Sequence, residues 1–280
     1  MSTPLETKSK PPRDTMFLTG SKSKRLIVAF GVIILLGFFL VNFIQQNYVV
    51  PIIMYHSVNP KAIPENRLVI SPEAFERQMY FLKRHRYNVL PLELLASLIK
   101  DRKKIPPRAI AITFDDGYKD NYIFVLPILK KYNFPATKFV IINEIGRPDR
   151  LSWEEIKAMQ DTGLINFGSH GLDAEPLINI KSEEELRRQI FDSQKILEEK
   201  LGQKVIAFSY PEGRFNAKIR QLVINAGYKL AVATNPGKKF ASDDVFVLKR
   251  LRISSTSNNL FVFGIETSGY YNFIREHRHK

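Results

Sequence analysis

From residue 49 onward, short apolar runs alternate with stretches of helical periodicity. The runs are VVPIIMY (49–55), AIAITF (109–114), ATKFVII (136–142), LINFG (164–168), VIAFSY (205–210), KLAVAT (229–234) and VFVLKRLRI (245–253). Their length and their β-branched and aromatic content predict buried strands. Helices are predicted at 72–85, 92–101, 122–132, 153–163 and 183–202. In the last of these, Leu186, Ile190, Ile196, Leu197 and Leu201 share one face and charge fills the rest. Gly163 and Gly202 supply the expected C-terminal glycines. Strands regularly separated by helices imply crossover connections and a mostly parallel sheet. With about seven such units, an α/β fold closed as a β/α barrel is favoured over an open sheet, and its chemistry belongs at the C-terminal ends of the strands.

One earlier run breaks this rhythm. LIVAFGVIILLGFFLVNFI (26–44) has Asn42 as its only strongly polar residue, and no charge occurs between Arg25 and Lys61. At about 1.5 Å per residue its length is nearly 30 Å, the thickness of a hydrocarbon core. Residues 1–25 carry Lys8, Lys10, Arg13, Lys22, Lys24 and Arg25 against Glu6 and Asp14. Positive charge stays on the cytoplasmic side, so the expectation is a single transmembrane signal anchor over 26–44. The basic tail 1–25 is then cytoplasmic, and everything from 45 to 280 lies outside a bacterial cell membrane. A cleaved signal peptide and a buried helix are the rival readings. NFIQQNYVV lacks a small-x-small cleavage pattern, and the run exceeds an ordinary signal-peptide core.

The 280 residues hold 42 Lys or Arg and 28 Asp or Glu, a formal net charge of +14. The basic residues are scattered, as in Lys83-Arg84, Arg102-Lys103-Lys104, Lys130-Lys131 and Lys238-Lys239, without the aromatic signature of an RNA-binding sheet. Nucleic acid is therefore not an expected partner. A solvated basic face is the plain reading, and an anionic wall polymer or lipid headgroup is the partner such a face would suit. Cysteine is absent, which excludes disulfide scaffolds, thiol catalysis, zinc ribbons and iron–sulfur clusters. A metal must then rest on carboxylates, water and the five histidines, His56, His85, His170, His277 and His279. His85 sits among basic residues and reads as surface, and the terminal REHRHK reads as solvated charge.

The polar residues at the predicted strand ends are His56, Asp115-Asp116-Gly117, His170 and Pro211-Glu212-Gly213. Each has an ordinary explanation alone: a turn, a helix start, a hydrogen-bonded structural histidine. An acidic pair at one strand end and histidines at two others on a single rim could instead hold a divalent metal and a base in one site.

Five segments in order, MYHSV (54–58), TFDDG (113–117), LSWEEIKAMQDTGLINFGSH (151–170), FSYPEGRFN (208–216) and YKLAVATNPG (228–237), resemble polysaccharide deacetylases of the NodB-homology type, carbohydrate esterase family 4. The resemblance runs from about Val50 to about Ser255. It implies a distorted (β/α) barrel that removes N- or O-acetyl groups from a polymer such as peptidoglycan, chitin or poly-N-acetylglucosamine. It further implies a divalent metal, zinc first with cobalt or nickel as alternatives. By position, Asp115 resembles the family's general base, Asp116 a metal ligand, and His170 the first histidine of its His-(Ser/Thr)-x-x-His motif. A backbone N–H near Tyr210, in the Tyr210–Pro211–Gly213 turn, is the expected oxyanion donor, and Trp153 a candidate sugar platform. The family's late Leu-x-His motif has no counterpart here. His56 is therefore taken as the general acid, as in the circularly permuted poly-N-acetylglucosamine deacetylases with an N-terminal Tyr-His.

Two departures stand out. The second metal histidine falls on Ala174, which ligates nothing. Glu175, or alternatively Asp173, could substitute; the metal could be held weakly with extra water; or the domain could be a degenerate glycan-binding pseudoenzyme. The family's arginine in the fourth segment is replaced by Ser209, leaving Arg214, Arg250 and Arg252 as candidates to orient Asp115. Beyond about residue 256 lies an unassigned extension, whose Phe261, Phe263, Tyr270 and Tyr271 are expected to cap the barrel or rest near the membrane.

Overall fold

Each of the seven apolar runs is a strand in the computed structural model, which describes residues 19–63, 65–234 and 244–271. The strands in chain order are β1 (Ile52–Tyr55), β2 (Ser57–Val58), β3 (Val69–Ile70), β4 (Asn88–Val89), β5 (Ala109–Phe114), β6 (Ala136–Val140), β7 (Ile165–Ser169), β8 (Ala207–Ser209), β9 (Leu230–Ala233), β10 (Leu248–Lys249) and β11 (Leu251–Arg252). The helices are α1 (Thr19–Asn47), α2 (Pro72–Arg84), α3 (Leu92–Lys100), α4 (Leu126–Tyr132), α5 (Trp153–Gln160), α6 (Glu183–Arg187), α7 (Ser193–Leu201), α8 (Ala217–Ala226) and α9 (Leu260–Glu266). The chain divides into two units, residues 1–48 and 49–280.

In the second unit the main sheet runs β10-β9-β8-β7-β6-β5-β1-β11, all parallel, with β4 added beside β5. The run expected as one strand over 245–253 is divided at Arg250. Its first half pairs with β9 (Leu248↔Val232) and its second with β1 (Ile53↔Leu251). One segment thus joins both edges of the sheet and closes the ring, the β/α barrel expected from the alternation.

Strand alternation sorts the side chains into two apolar sets. Ile52, Ala111, Phe139, Ala207, Val232 and Leu248 gather with Leu92, Leu95 and Ala96 of α3, which plugs the barrel interior. Residues one position along, such as Ile53, Tyr55, Phe114, Phe167 and Phe208, form the larger core beneath the outer helices. Gly168 is required by the inner set. A Cβ there would lie 2.6 Å from the Phe139 ring and 2.8 Å from the Ala207 carbonyl.

Two helical features differ from the periodicity. The stretches 122–132 and 183–202 each contain a π-turn, Asn121–Val125 before α4 and Arg188–Asp192 between α6 and α7. Helix α8, opened by the Asn216 side chain on the Ile219 N–H and ended by Gly227 at φ 98°, fills a crossover in which no helix was expected. The C-terminal extension packs on the barrel through α9, where Phe263 is buried edge-on to Phe81 at 5.6 Å, while Phe261 is exposed.

In the first unit the described side chains of α1 are those of 25–39 and of Asn42. Leu26, Ile27, Phe30, Ile33 and Phe38 are all more than 60% exposed, so the apolar surface runs round the helix rather than along one stripe. Among the described residues no helix is long and apolar enough to cross a membrane, and part of the predicted span 26–44 lies outside the described side chains. Most of the basic tail 1–25, Lys238-Lys239, the end of the fifth resemblance segment and the terminal REHRHK also lie outside the described residues.

Candidate functional site

Four of the expected residues meet at the C-terminal rim because parallel register places their strand ends side by side. Tyr55 pairs with Phe114, and the Asp115 N–H donates to the Tyr55 carbonyl (3.0 Å), so His56 and Asp115 leave adjacent strands together. The His170 N–H donates to the Val140 carbonyl (2.9 Å), carrying the end of β7 to the same rim. Asp116 turns the chain with φ 68° and Gly117 follows at φ 70°. A non-glycine residue in this left-handed region is strained, and such strain is concentrated at functional sites.

Asp115 is 3% exposed and held by a fork. Arg250, itself 2% exposed, donates from Nη1 and Nη2 to its two oxygens, both at 2.6 Å. The same guanidinium donates to Ser209 Oγ (2.9 Å) and Thr113 Oγ1 (3.3 Å). The structure therefore selects Arg250 among the three arginines considered, and Ser209, standing where the family has arginine, is the hydroxyl that Arg250 bonds. Arg214 pairs with exposed Glu212, and Arg252 is exposed. Burial alone would push the Asp115 carboxyl up; Arg250, followed by His170, more than offsets it and holds the group at about 2.

His170 donates from Nδ1 to the Ser209 carbonyl at 2.8 Å, which fixes the ring and leaves Nε2 facing the carboxylates. That Nε2 lies 3.5 Å from Asp116 Oδ1 and 3.9 Å from Asp115 Oδ2. The first separation is longer than an ordinary hydrogen bond. It is close to the roughly 3.3 Å between two ligands about 2.0–2.1 Å from a tetrahedral ion. The Asp116–His170 pair thus fits a divalent cation as two of its ligands. Burial lowers the His170 pKa, but Asp115 and Asp116 together raise it above the usual value. His56 faces the same charges and is moved the other way: burial lowers it, opposed only in part by Asp115 and Asp116. Its Nδ1 is buried without a hydrogen-bond partner.

The remaining expected residues are not at this cluster. Glu175 is exposed and accepts from Asn179 Nδ2 (2.8 Å). Asp173 accepts from Asn143 (2.8 Å) on one oxygen and Gln189 (2.8 Å) on the other. Both carboxylates are committed to partners away from the cluster, and among the described residues no group of three His, Asp or Glu side chains is placed to hold a metal ion. Two of the N–H groups expected to serve the oxyanion are already engaged. The Tyr210 N–H is taken by the Val232 carbonyl (3.1 Å) and that of Gly213 by the Tyr210 carbonyl (2.8 Å), and Pro211 has none to give. The Tyr210 ring is fully buried, stacked on Phe215 and donating to the Phe246 carbonyl (3.0 Å). Trp153 packs against the outer core with Lys200 over its ring, as a structural aromatic would.

The Asp115–Arg250 pair makes stability pH-dependent in a defined sense. A carboxyl at about 2 when folded and 3.8 otherwise contributes about 2 kcal/mol above pH 4, which is lost as pH falls from about 4 through 2. The urea midpoint should therefore fall steeply over that interval, and the Asp115→Asn variant should show a shallower fall. Equal slopes in the two proteins would rule out Asp115 as the source.

A family profile described as polysaccharide deacetylase matches residues 102–231. The Bacillus subtilis (strain 168) protein YxkH, named for the polysaccharide deacetylases, is 33% identical over 204 residues, covering 73% of this chain and 71% of that protein. A Staphylococcus aureus (strain MSSA476) poly-beta-1,6-N-acetyl-D-glucosamine N-deacetylase is 31% identical over 199 residues, covering 66% of this chain and 68% of that one. Among solved structures, the Streptococcus pyogenes deacetylase PplD in complex with acetate superposes with a TM-score of 0.69 at 30% identity, covering 76% of this chain and 98% of that chain.

Proposed function

The chain belongs to the polysaccharide deacetylase family, hydrolases of carbon–nitrogen bonds in acetylated polysaccharides, and from that premise we propose that it removes acetyl groups from a cell-wall or extracellular glycan at the Asp115–Asp116–His170 rim. The observation that carries this reading is the buried Arg250–Asp115 fork beside the Asp116–His170 pair. An ionised carboxylate and a two-ligand cation seat lie within one small volume there.

The family is metal-dependent in general. A divalent cation, zinc by preference and cobalt or nickel otherwise, would be held by Asp116 and His170 and would supply Lewis acidity toward the acetyl carbonyl. The chain's own residues do the rest. Arg250 keeps Asp115 ionised and oriented, so its carboxylate accepts the proton of an attacking water. His56, its ring half-buried at the neighbouring strand end, delivers a proton to the leaving amine. Because burial weakens its hold on that proton, the protonated ring is a stronger acid than an ordinary imidazolium. The apolar run 26–44 with its basic N-terminal flank supports an anchor that tethers the domain on the outer face of the cell membrane.

The test is metal content of the full chain after dialysis, read beside acetate release from penta-N-acetylchitopentaose. Asp116→Ala and His170→Ala are each expected to lose the metal and the acetate signal together. Ala174→His, which adds a third ligand type at the position of the family's second histidine, should tighten metal retention at least about tenfold. Wild-type protein without metal or acetate under saturating zinc, cobalt and nickel would overturn the reading and leave a domain that binds glycan without cutting it.

A further inference from the structure

On β6 the inward and outward positions alternate, and the outward register row at Lys138 is Phe114 on β5 and Phe167 on β7. An apolar residue is expected there. Lys138 is instead 1% exposed, with its ammonium 4.7 Å above the Phe114 ring and donating to Asn121 Oδ1. A lysine has donors only, so the Asn121 amide can present nothing but its oxygen to it. The Asn121 Nδ2 group is then forced the other way, where it donates to the His56 carbonyl (3.1 Å) and to Asp120 Oδ1 (2.7 Å). Asp120 completes the clamp by accepting from Ser57 Oγ and from the Val58 N–H (3.2 Å). Three consecutive residues, His56 to Val58, are thereby fixed by two neighbours, Asp120 at the cap of the π-turn and Asn121 at its first position.

We propose that Lys138 is a positioning residue for His56, acting through the orientation of the Asn121 amide on the strand end that carries the imidazole. The proposal rests on the reading of His56 as the acid of the reaction. Its force comes from the ring itself: His56 Nδ1 has no hydrogen-bond partner, so the ring's aim depends on its backbone, and the backbone carbonyl is what Asn121 holds. Lys138 also sits where its charge is finely balanced. Burial lowers its pKa to about 7 against the pull of Asp120, Asp115 and Asp116. Retaining a buried ammonium in a phenylalanine row is costly for stability alone, and the clamp on His56 gives it a use.

The experiment takes the full chain labelled with 13Cε1-histidine, as wild type, Lys138→Met, Asn121→Leu and the double variant. The His56 titration is followed by NMR, and acetate release from penta-N-acetylchitopentaose across pH. Methionine matches lysine in length and removes the donor. Lys138→Met should lower kcat about tenfold with KM changed by less than about twofold. It should also move the His56 midpoint by at least about half a pH unit. Asn121→Leu should do the same, and the double variant should be no worse than the worse single one. If both variants merely melt earlier while the His56 titration and the pH–rate profile stay as in wild type, Lys138 is only a packing residue and the proposal fails. If wild type releases no acetate but the His56 midpoint moves in both variants, the positioning stands and the deacetylase reading is what fails.

Discussion

Asp115→Asn is expected to reduce acetate release by about three orders of magnitude, the range of a lost general base, while the metal content of the protein stays as in wild type. The two readouts separate because Asp115 and Asp116, though consecutive, face different partners. Asp115 is engaged by Arg250 and Ser209, whereas Asp116 turns toward His170 Nε2. Asparagine is isosteric and its Oδ1 still accepts one guanidinium N–H, so one bond of the fork survives at a cost in stability, and the metal content is read on the folded fraction. Activity within about tenfold of wild type would remove Asp115 from the mechanism.

Arg250→Met carries the largest expected effect on stability. The guanidinium is the only cation bonded to this buried rim carboxyl among the described contacts. Removing one partner of a buried pair leaves the other uncompensated, at about 3–5 kcal/mol. For a domain of this size that lowers the melting temperature by roughly 10 °C. The Asp115 pKa should meanwhile climb from about 2 to above the ordinary 3.8, since burial, which raises it, is no longer opposed by Arg250. The double variant Asp115→Asn/Arg250→Met should recover much of the lost stability, because no isolated charge remains. A melting temperature for Arg250→Met within a degree or two of wild type would contradict the pairing.

Much of this was legible before any coordinates. The seven apolar runs lie in one parallel ring because period-2 alternation and helical spacers leave few other arrangements, and the strand-end rule brought His56, Asp115, Asp116 and His170 together. What the sequence could not express is which partner each polar residue finds across the barrel. Arg250 was one of three candidate arginines until register placed it opposite Asp115. Glu175 and Asp173 were reasonable ligands by spacing, but Asn179 claims the first, and Asn143 and Gln189, from other elements, claim the second. The oxyanion donor is not legible because a turn's N–H groups read as free in a sequence, whereas here those of Tyr210 and Gly213 complete backbone bonds. Lys138 did leave a trace: a lone charge inside ATKFVII, an apolar strand where alternation has no solvent-facing side. Helix α8 was missed although Asn216 and Gly227 stood at its two ends as cap signals.

The split closing segment has a consequence for the order in which the protein becomes competent. Ile53 near the start of the barrel meets Leu251 near its end, and Arg250 lies at the seam between the two pairings. During synthesis Asp115 emerges well before the cation it pairs with, Arg250. The carboxylate gains its Arg250 partner, the main cause of its low pKa, only when the last strand pairs with both edges. Closure of the ring and completion of the Asp115–Arg250 fork are therefore one event, and a chain interrupted before residue 248 would carry every proposed ligand yet lack the group that orients the base.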